Sequence, residues 1–170
     1  AEVDLVRSVV KRGHAEVAAA SVPGVLTVGG QRAASVELHI ATRNGTQIGL
    51  LRGVTNAAYL AHPMVTVIEG REPRAPFEII IGALAAARME LTPADVAIGK
   101  TMELERRDFT IVGHFSAPGS VYEAELWALL TDVMLVTKRE DVSCVVLRLK
   151  DPSQLKYVNK FAAERVDLEI

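Results

Sequence analysis

The segment 102–115 carries the clearest fold signal in the sequence. Apolar and charged residues alternate over 102–105, a charged tight turn follows at 106–108, and the alternation resumes over 109–115. A period of two residues is the period of a β-strand, so the segment predicts an antiparallel hairpin. The residues predicted to share one face of its return strand are Phe109, Ile111, Gly113 and Phe115.

A second hairpin is predicted upstream. Asn44 and Gly45 both tolerate the positive φ angles that a type I′ turn requires, and they separate segments 36–42 and 46–52. The first of these segments alternates between apolar and polar residues, which predicts a half-buried strand. Its apolar face carries Val36, Leu38 and Ile40, and its opposite face carries Glu37 and His39.

Helix signals lie at both ends of the chain. Valines recur at three- and four-residue spacings over the first twenty residues, up to Pro23-Gly24, and predict an amphipathic helix. Near the other end, Asp151, Pro152 and Gln154 have the types and spacing of a capped helix start. The final helix is expected to bury Leu155, Val158 and Phe161 or Ala162.

The middle of the chain is predicted to be rich in β-structure. Thr92 and Pro93 predict a single helical turn that Gly99 ends. The order of helix, strands, β-rich middle, strand and helix predicts an α+β domain whose middle is inserted between two halves of a first lobe. Further strands are predicted at 65–68, 77–81, 122–127 and 145–149, and short helices at 83–90 and 128–136.

Composition and charge exclude several classes of protein. The chain has 170 residues, and its 19 basic and 21 acidic residues give a net charge of -2, so we expect no nucleic-acid partner. A single cysteine permits no internal disulfide. No stretch reaches about 18 apolar residues and the start lacks signal-peptide features, so we expect the chain as given to be soluble.

The motifs of common active sites are missing or incomplete. Gly99-Lys100-Thr101 resembles the end of a phosphate-binding loop, but Ala94 stands where the upstream glycine is required and a strand follows. The histidines at 14, 39, 62 and 114 are scattered, with no spacing that supplies metal ligands from one element, although folding could still assemble a ligand set. We therefore predict no cofactor, no metal and no catalytic residue.

Two features near residue 125 leave alternatives open. Glu123 and Glu125 would point to the same side of an extended segment, which is compatible with acid-base chemistry but more typical of a solvated strand. Trp127, the only tryptophan, is interpreted as a core residue or as an exposed interface anchor.

Several short motifs occur in an order that resembles one known family, the periplasmic core domain of MacB/FtsX-like ABC transporter permeases. Each motif alone is weak, but their order is fairly specific and spans nearly the whole chain. The motifs lie at 22–25, 51–54, 67–71, 78–82, 98–99, 109–115, 119–120, 125–127 and 143–149.

The resemblance implies a two-lobed structure and a non-catalytic function. It implies a βαβ-containing, porter-like lobe at 1–77 with 141–170, and an inserted β-rich, sabre-like lobe at 78–140. In similar permeases this domain lies between the first two transmembrane helices, on the periplasmic, extracytoplasmic side of the bacterial inner membrane. An ABC ATPase on the cytoplasmic side, permease dimerisation and sometimes a periplasmic adaptor protein are implied as partners.

By the same resemblance, the domain would transmit ATP-driven motion and dock a partner or cargo. The aromatic and acidic loop region suggests an interface, for which the candidate residues are Phe115, Tyr122, Glu125 and Trp127. The alternative is a stand-alone periplasmic module that binds a small molecule, or an enzyme, with its pocket between the two lobes.

Overall fold

The structure is a computed structural model that describes residues 8–44 and 46–164. Its strands are β1 Val10–Lys11, β2 Thr27–Val28, β3 Gln31–Arg32, β4 Ala34–Asn44, β5 Gln47–Val54, β6 Thr66–Gly70, β7 Glu78–Gly82, β8 Thr101–Leu104, β9 Arg107–Ser116, β10 Glu125–Leu129, β11 Asp141–Val142 and β12 Cys144–Leu147. Its helices are α1 Arg12–Ser21, α2 Ala58–Ala61, α3 Ala85–Arg88, α4 Leu130–Thr137 and α5 Leu155–Ala163, with 3-10 turns at Val121–Ala124 and Pro152–Gln154.

Eight of the described strands form one mixed sheet, in the order β12-β4-β5-β10-β7-β9-β6, with β8 also paired to β9. The pairs β5–β10 and β7–β9 are parallel, and the other neighbours are antiparallel. This sheet includes strands from both predicted lobes, and the largest apolar cluster likewise combines Leu38 and Leu51 with Ile79 and Ile111. The division into lobes at 77/78 and 140/141 is therefore not confirmed by the sheet and stays a prediction.

Strand β7 is covered on both of its faces. Its run of three isoleucines is fully buried because Ile79 and Ile81 pack in the large cluster while Ile80 packs in a smaller one on the opposite face. A continuous apolar run is typical of a strand with no solvated face. The strand predicted at 77–81 is thus confirmed.

Both predicted hairpins are confirmed, with shifted turns. Asn44 pairs with Gln47, so the first turn falls one residue later than predicted, and Gly45 lies outside the described residues. Leu104 pairs with Arg107, and the two residues between them, Glu105 and Arg106, have φ angles of 51° and 65°. Two consecutive positive φ angles form a type I′ turn, so the predicted turn at 106–108 is wrong in position.

The face predicted for the return strand is wrong from Gly113 onwards, and therefore at Phe115. Ile79 pairs with Ile111, but Ile80 pairs with Gly113, so Val112 is the additional residue of a β-bulge. A bulge reverses the faces of all later residues. Phe115 therefore packs in the smaller cluster, away from Phe109 and Ile111.

The first predicted helix is wrong in extent and in its buried face. Helix α1 begins at Arg12, and Val10 lies in β1, while residues 1–7 lie outside the described ranges. Ala15 and Ala18 are its buried residues, whereas Val17 is 39% exposed. Alanines allow the helix to approach the sheet more closely than valines would.

Other helical predictions are confirmed in part. Residues 83–90 contain only the short α3, residues 92–99 form turns, and residues 122–124 are 3-10 turn instead of strand. The predicted cap at Asp151 is confirmed, since its side chain accepts a hydrogen bond from the Ser153 backbone. Helix α5 buries Val158 but leaves Leu155 53% exposed.

None of the helices in the described ranges has the length and apolar character that crossing a bilayer requires.

Candidate functional site

Five ionisable side chains lie together in the interior, on the face of the sheet that holds the smaller apolar cluster. We call them the ionic cluster: Glu37, His39, Arg52, His62 and Glu125. Each is at most 3% exposed. Residues 35–40 of β4 are therefore buried on both faces, and the prediction of a half-buried strand is wrong over these residues.

Arg52 on β5 is the centre of the cluster. Its Nε and Nη2 atoms donate to the two carboxylate oxygens of Glu125, each at 2.7 Å, in a bidentate pair. Its Nη1 atom donates to Oε2 of Glu37 at 2.6 Å. In the parallel register of β5 and β10, Arg52 pairs with Trp127, which lies two residues after Glu125. This register brings the side chains of Arg52 and Glu125 together. Arg52 thus links β4, β5 and β10 through charge-assisted hydrogen bonds.

The four residues predicted to form an interface all gather at this cluster. Trp127 Nε1 donates to Glu125 Oε2 at 2.8 Å, the ring of Phe115 lies 5.2 Å from that of Trp127, and the guanidinium of Arg52 lies 4.8 Å from the ring of Tyr122. Phe115, Glu125 and Trp127 are buried and offer no contact surface, so the interpretation of Trp127 as core is confirmed. Tyr122 is half-buried, and its interface role stays a prediction.

Contacts within the ionic cluster keep Glu37 and Arg52 in their charged forms. Burial alone would raise the pKa of Glu37, but the imidazoles of His39 and His62 and the charge of Arg52 hold this pKa well below its ordinary value. Burial alone would lower the pKa of Arg52, but its bonds to Glu125 and the charge of Glu37 raise it. Buried charges persist only when they are paired in this way.

Two members of the ionic cluster and the nearby Cys144 form a set of potential metal ligands. One donor atom each from Glu37, His39 and Cys144 lies within 4.8 Å of the others. However, Arg52 Nη1 lies 2.6 Å from both Glu37 Oε2 and His39 Nε2, so a guanidinium nitrogen already occupies the space between these two donors. Burial also raises the pKa of the Cys144 thiol to about 12, which disfavours the thiolate that binds metals. We therefore identify none of the three as a metal ligand.

The carboxylate pair considered from the sequence does not form. Glu123 accepts hydrogen bonds from the Ser116 hydroxyl at 2.9 Å and from the Ala117 backbone at 3.3 Å, while Glu125 binds Arg52. Glu123 lies within the 3-10 turn at 121–124 and Glu125 begins β10, and the two side chains have different partners. Glu123 therefore stabilises a turn, and Glu125 stabilises the core.

Sequence reasoning missed the ionic cluster, although it named some of its members. The partners are far apart in sequence, as in the Arg52–Glu125 pair, 73 residues apart, and the His62–Glu37 pair, 25 residues apart. One usable signal was a charged residue inside an apolar strand, as Arg52 is in Leu50–Val54. A charge in such a run requires a buried partner of opposite sign.

A second, more exposed carboxylate site fixes the start of β7. Glu78 accepts from the guanidinium of Arg71, at 2.7 Å from its Nη1 atom, and from the backbone N–H groups of Arg74 and Ala75 at 2.8 and 3.0 Å. The hydrogen bonds from Arg71 are the main cause that lowers the pKa of Glu78, to about 2.

Glu78→Gln is expected to destabilise the chain at neutral pH and to lose this effect in acid. Because the folded-state pKa is lower than the ordinary 4.5, the stabilisation by Glu78 is present above about pH 4.5 and is lost as pH falls through about 2. Urea unfolding of both proteins at pH 7, 4.5 and 2.5 would measure it. A gap in stability that stays constant over this range would contradict the assignment.

Two surface depressions bear on the alternative of a pocket between lobes. One, of about 420 Å³, is lined entirely by residues between 16 and 57, beside α1. The other, of about 280 Å³, is lined by residues between 91 and 103. Each lies within one predicted lobe, so neither is an inter-lobe pocket.

Comparison with known proteins adds to this geometry. Residues 5–162 match the family model described as the MacB-like periplasmic core domain. No curated protein matches the chain.

Two solved structures are similar to this fold. The extracellular domain of the noncanonic ABC-type transporter YknZ from Gram-positive bacteria matches with a TM-score of 0.71 and 15% identity, over 94% of this chain and 83% of that chain. The periplasmic region of MacB from Actinobacillus actinomycetemcomitans matches with a TM-score of 0.64 and 11% identity, over 91% and 74%. These similarities confirm the predicted α+β fold.

Proposed function

This chain belongs to the family of MacB-like periplasmic core domains, and from that premise we propose that it transmits ATP-driven motion and docks a partner or cargo without catalysis of its own. Membership makes it an extracytoplasmic domain of an ABC transporter permease. The ATPase partner would act from the cytoplasmic side, and a permease dimer and a periplasmic adaptor protein are further proposed partners.

The observation that carries the proposal is the use of the ionisable residues in the core. Glu37, Arg52 and Glu125 pair with one another in the interior and join three strands of the sheet. Such an arrangement stiffens a sheet, whereas a catalytic acid or base must be within reach of a substrate. Stiffness is the property that a transmitting module needs.

The first and last described helices support a route for that motion. Ala18 and Val22, at the end of α1, share an apolar cluster with Val158 of α5, and Phe161 packs against it. Strand β1, just before α1, pairs with β11 at Lys11–Asp141. Residues of both helices therefore contribute to one apolar cluster. We propose that these helices receive motion from the membrane part of the permease.

Membrane topology of the full-length gene product tests the family-based part of the proposal. Reporter fusions before and after residues 1–170 should show a membrane span on each side, with this segment outside the cytoplasm. A full-length product that has no membrane span would contradict it.

A reversible cross-link tests the transmission. Lys11→Cys and Asp141→Cys, in a Cys144→Ala background, place two thiols on paired residues of β1 and β11, at a separation that a disulfide can bridge. If β1 moves relative to β11 during the cycle, oxidation should slow ATP hydrolysis by the membrane-reconstituted transporter about tenfold, and a reductant should restore it.

The matched control uses the same chemistry in a pair that the proposal does not involve. Val28→Cys with Gln31→Cys cross-links the β2–β3 hairpin, which is also antiparallel. Oxidation should leave its ATP hydrolysis unchanged. Equal rates for both oxidised proteins would reject β1 as a transmitting segment while leaving the topology result untouched.

A further inference from the structure

The depression of about 420 Å³ beside α1 is lined in part by short side chains. Its alanines come from α1, from the start of β4 and from the N-cap of α2: Ala19, Ala20, Ala34 and Ala57. Short side chains leave room for a bound chain to approach the protein backbone closely. The depression is also open to solvent, whereas a small-molecule pocket usually buries about 70–90% of its ligand. A segment of a larger partner therefore fits it better than a small molecule does.

Arg32 on β3 supplies a positive charge to this depression. Its Nε donates to the Ala19 carbonyl at 3.0 Å, and its Nη2 donates to the Val22 carbonyl at 2.6 Å. Helix α1 has no basic residue in its own last turn, so Arg32 supplies the cation that stabilises this end of the helix. Both N–H groups of Nη1 remain without an acceptor among the described residues.

The charge of Arg32 is compensated only in part. The carbonyl end of a helix carries about half a negative charge, and none of the described carboxylates forms an ion pair with this half-buried guanidinium. Glu16 lines the same depression, but Arg12 donates to it at 2.7 Å. The depression therefore favours an anionic group. A guanidinium is well suited to a carboxylate, because its planar fork can donate two parallel hydrogen bonds.

We propose that this depression docks an acidic, extended segment of a partner protein, with a carboxylate of that segment on Arg32. The exposed side-chain amides of Gln31 and Asn56 also line it and make no hydrogen bond with the described residues. Each amide can donate to and accept from the backbone of an extended peptide. This inference rests on the docking part of the proposed function and deepens it by naming the chemistry of the partner.

An NMR titration of the ¹⁵N-labelled 170-residue chain tests the proposal. The probe is the peptide acetyl-Gly-Glu-Ala-Glu-Gly-amide at low ionic strength. It should shift the Arg32 Nε–H signal and the backbone amides of 16–20, 31–34 and 55–57, with a dissociation constant in the millimolar range. The neutral analogue acetyl-Gly-Gln-Ala-Gln-Gly-amide should bind at least about fivefold more weakly. Absence of a saturable shift of these signals with the acidic peptide at about 20 mM would overturn the proposal.

Two variants at Ala20 separate charge from shape. Ala20 is an exposed residue of α1 in the lining, and none of the hydrogen bonds of Arg32 involves it. Ala20→Glu and Ala20→Gln add side chains of equal size, but only the first adds a like charge for the acidic peptide. Ala20→Glu should bind the peptide about three- to tenfold more weakly than Ala20→Gln. Equal affinities would show that charge does not select the ligand and would overturn the proposal.

Glu16→Gln supplies a control of opposite sign. It removes a negative charge from the lining, so it should strengthen binding of the acidic peptide about twofold. Weaker binding would contradict recognition of an acid. Arg32→Gln should abolish binding, but it also removes two hydrogen bonds to the end of α1. The variants at Ala20 and Glu16 keep the proposal testable if Arg32→Gln does not fold.

Glutarate distinguishes a peptide segment from a free carboxylate. It carries two carboxylates but no peptide groups for Gln31 and Asn56, so it should bind more weakly than the acidic peptide. Equal affinity would make the depression a site for small anions and would overturn the docking of a segment. Membrane spans on both sides of the chain, together with no peptide binding, would reject this inference alone and leave the permease proposal standing.

Discussion

Replacing Arg52 with methionine is expected to lower the free energy of unfolding by about 3 to 5 kcal/mol. The methionine keeps an apolar stem of similar reach but leaves Glu37 and Glu125 as buried carboxylates without the cation that pairs them. Trp127 would still donate to Glu125, and His62 to Glu37, yet neither can replace a guanidinium that binds both.

Urea unfolding measures this loss, and the chain contains a close control. Arg12 also donates from Nε to a glutamate oxygen at 2.7 Å, but the side chains of Arg12 and Glu16 are 49% and 54% exposed. Arg12→Met should change the free energy of unfolding by less than about 0.5 kcal/mol, because exposed ion pairs contribute little. The two variants share their chemistry and contact length and differ in burial. Equal costs would contradict the central role of Arg52.

A double variant separates the lost pair from the buried charge that remains. Arg52→Met with Glu125→Gln removes both members of the bidentate pair and leaves a neutral amide that can still accept from Trp127 Nε1. It should recover part of the stability lost in Arg52→Met, because an uncompensated buried charge costs more than a missing pair. A double variant that is less stable than the single one would show that Glu125 stabilises the fold without Arg52.

The strands were predictable because their periodicity is local. The alternation at 102–115 and the run of isoleucines at 79–81 are patterns of neighbouring residues. Both segments form strands. The bulge at Val112 was not predictable from alternation, because it depends on how β9 pairs with β7. One additional residue moved Phe115 to the opposite face and into contact with Trp127.

The ionic cluster could not be assembled from the sequence for a related reason. The residues that it joins lie on β4, β5, β10 and the segment after α2, and only the parallel pairing of β5 with β10 brings Arg52 to Glu125. The sequence did identify Tyr122, Glu125 and Trp127 as a distinctive group. Their aromatic and acidic character alone indicated a surface, because their burial depends on the strands that cover them.

Gly82→Ala is expected to cost about 3 kcal/mol, at the upper end for overpacking, and to displace the turn that carries Tyr122. A Cβ atom at Gly82 would lie 2.4 Å from the Glu123 carbonyl oxygen and 2.8 Å from that of Tyr122. Both contacts are with backbone, which cannot rotate away as a side chain can. The Leu84 N–H also donates to the Glu123 carbonyl at 2.8 Å, so the turn is hydrogen-bonded to the segment that follows β7.

Gly13→Ala provides the matched control for that cost. No heavy atom lies within 4 Å of a Cβ at Gly13, which is in α1, so the same substitution should stabilise the chain by about 0.4 to 1 kcal/mol. Hydrogen exchange of residues 117–124 would show where the Gly82→Ala cost arises. Faster exchange there, with protection retained in β4 and β5, would mean that the turn moves while the ionic cluster persists. Uniformly faster exchange would mean that the turn and the sheet unfold as one unit, and that Tyr122 cannot be displaced without opening the whole domain.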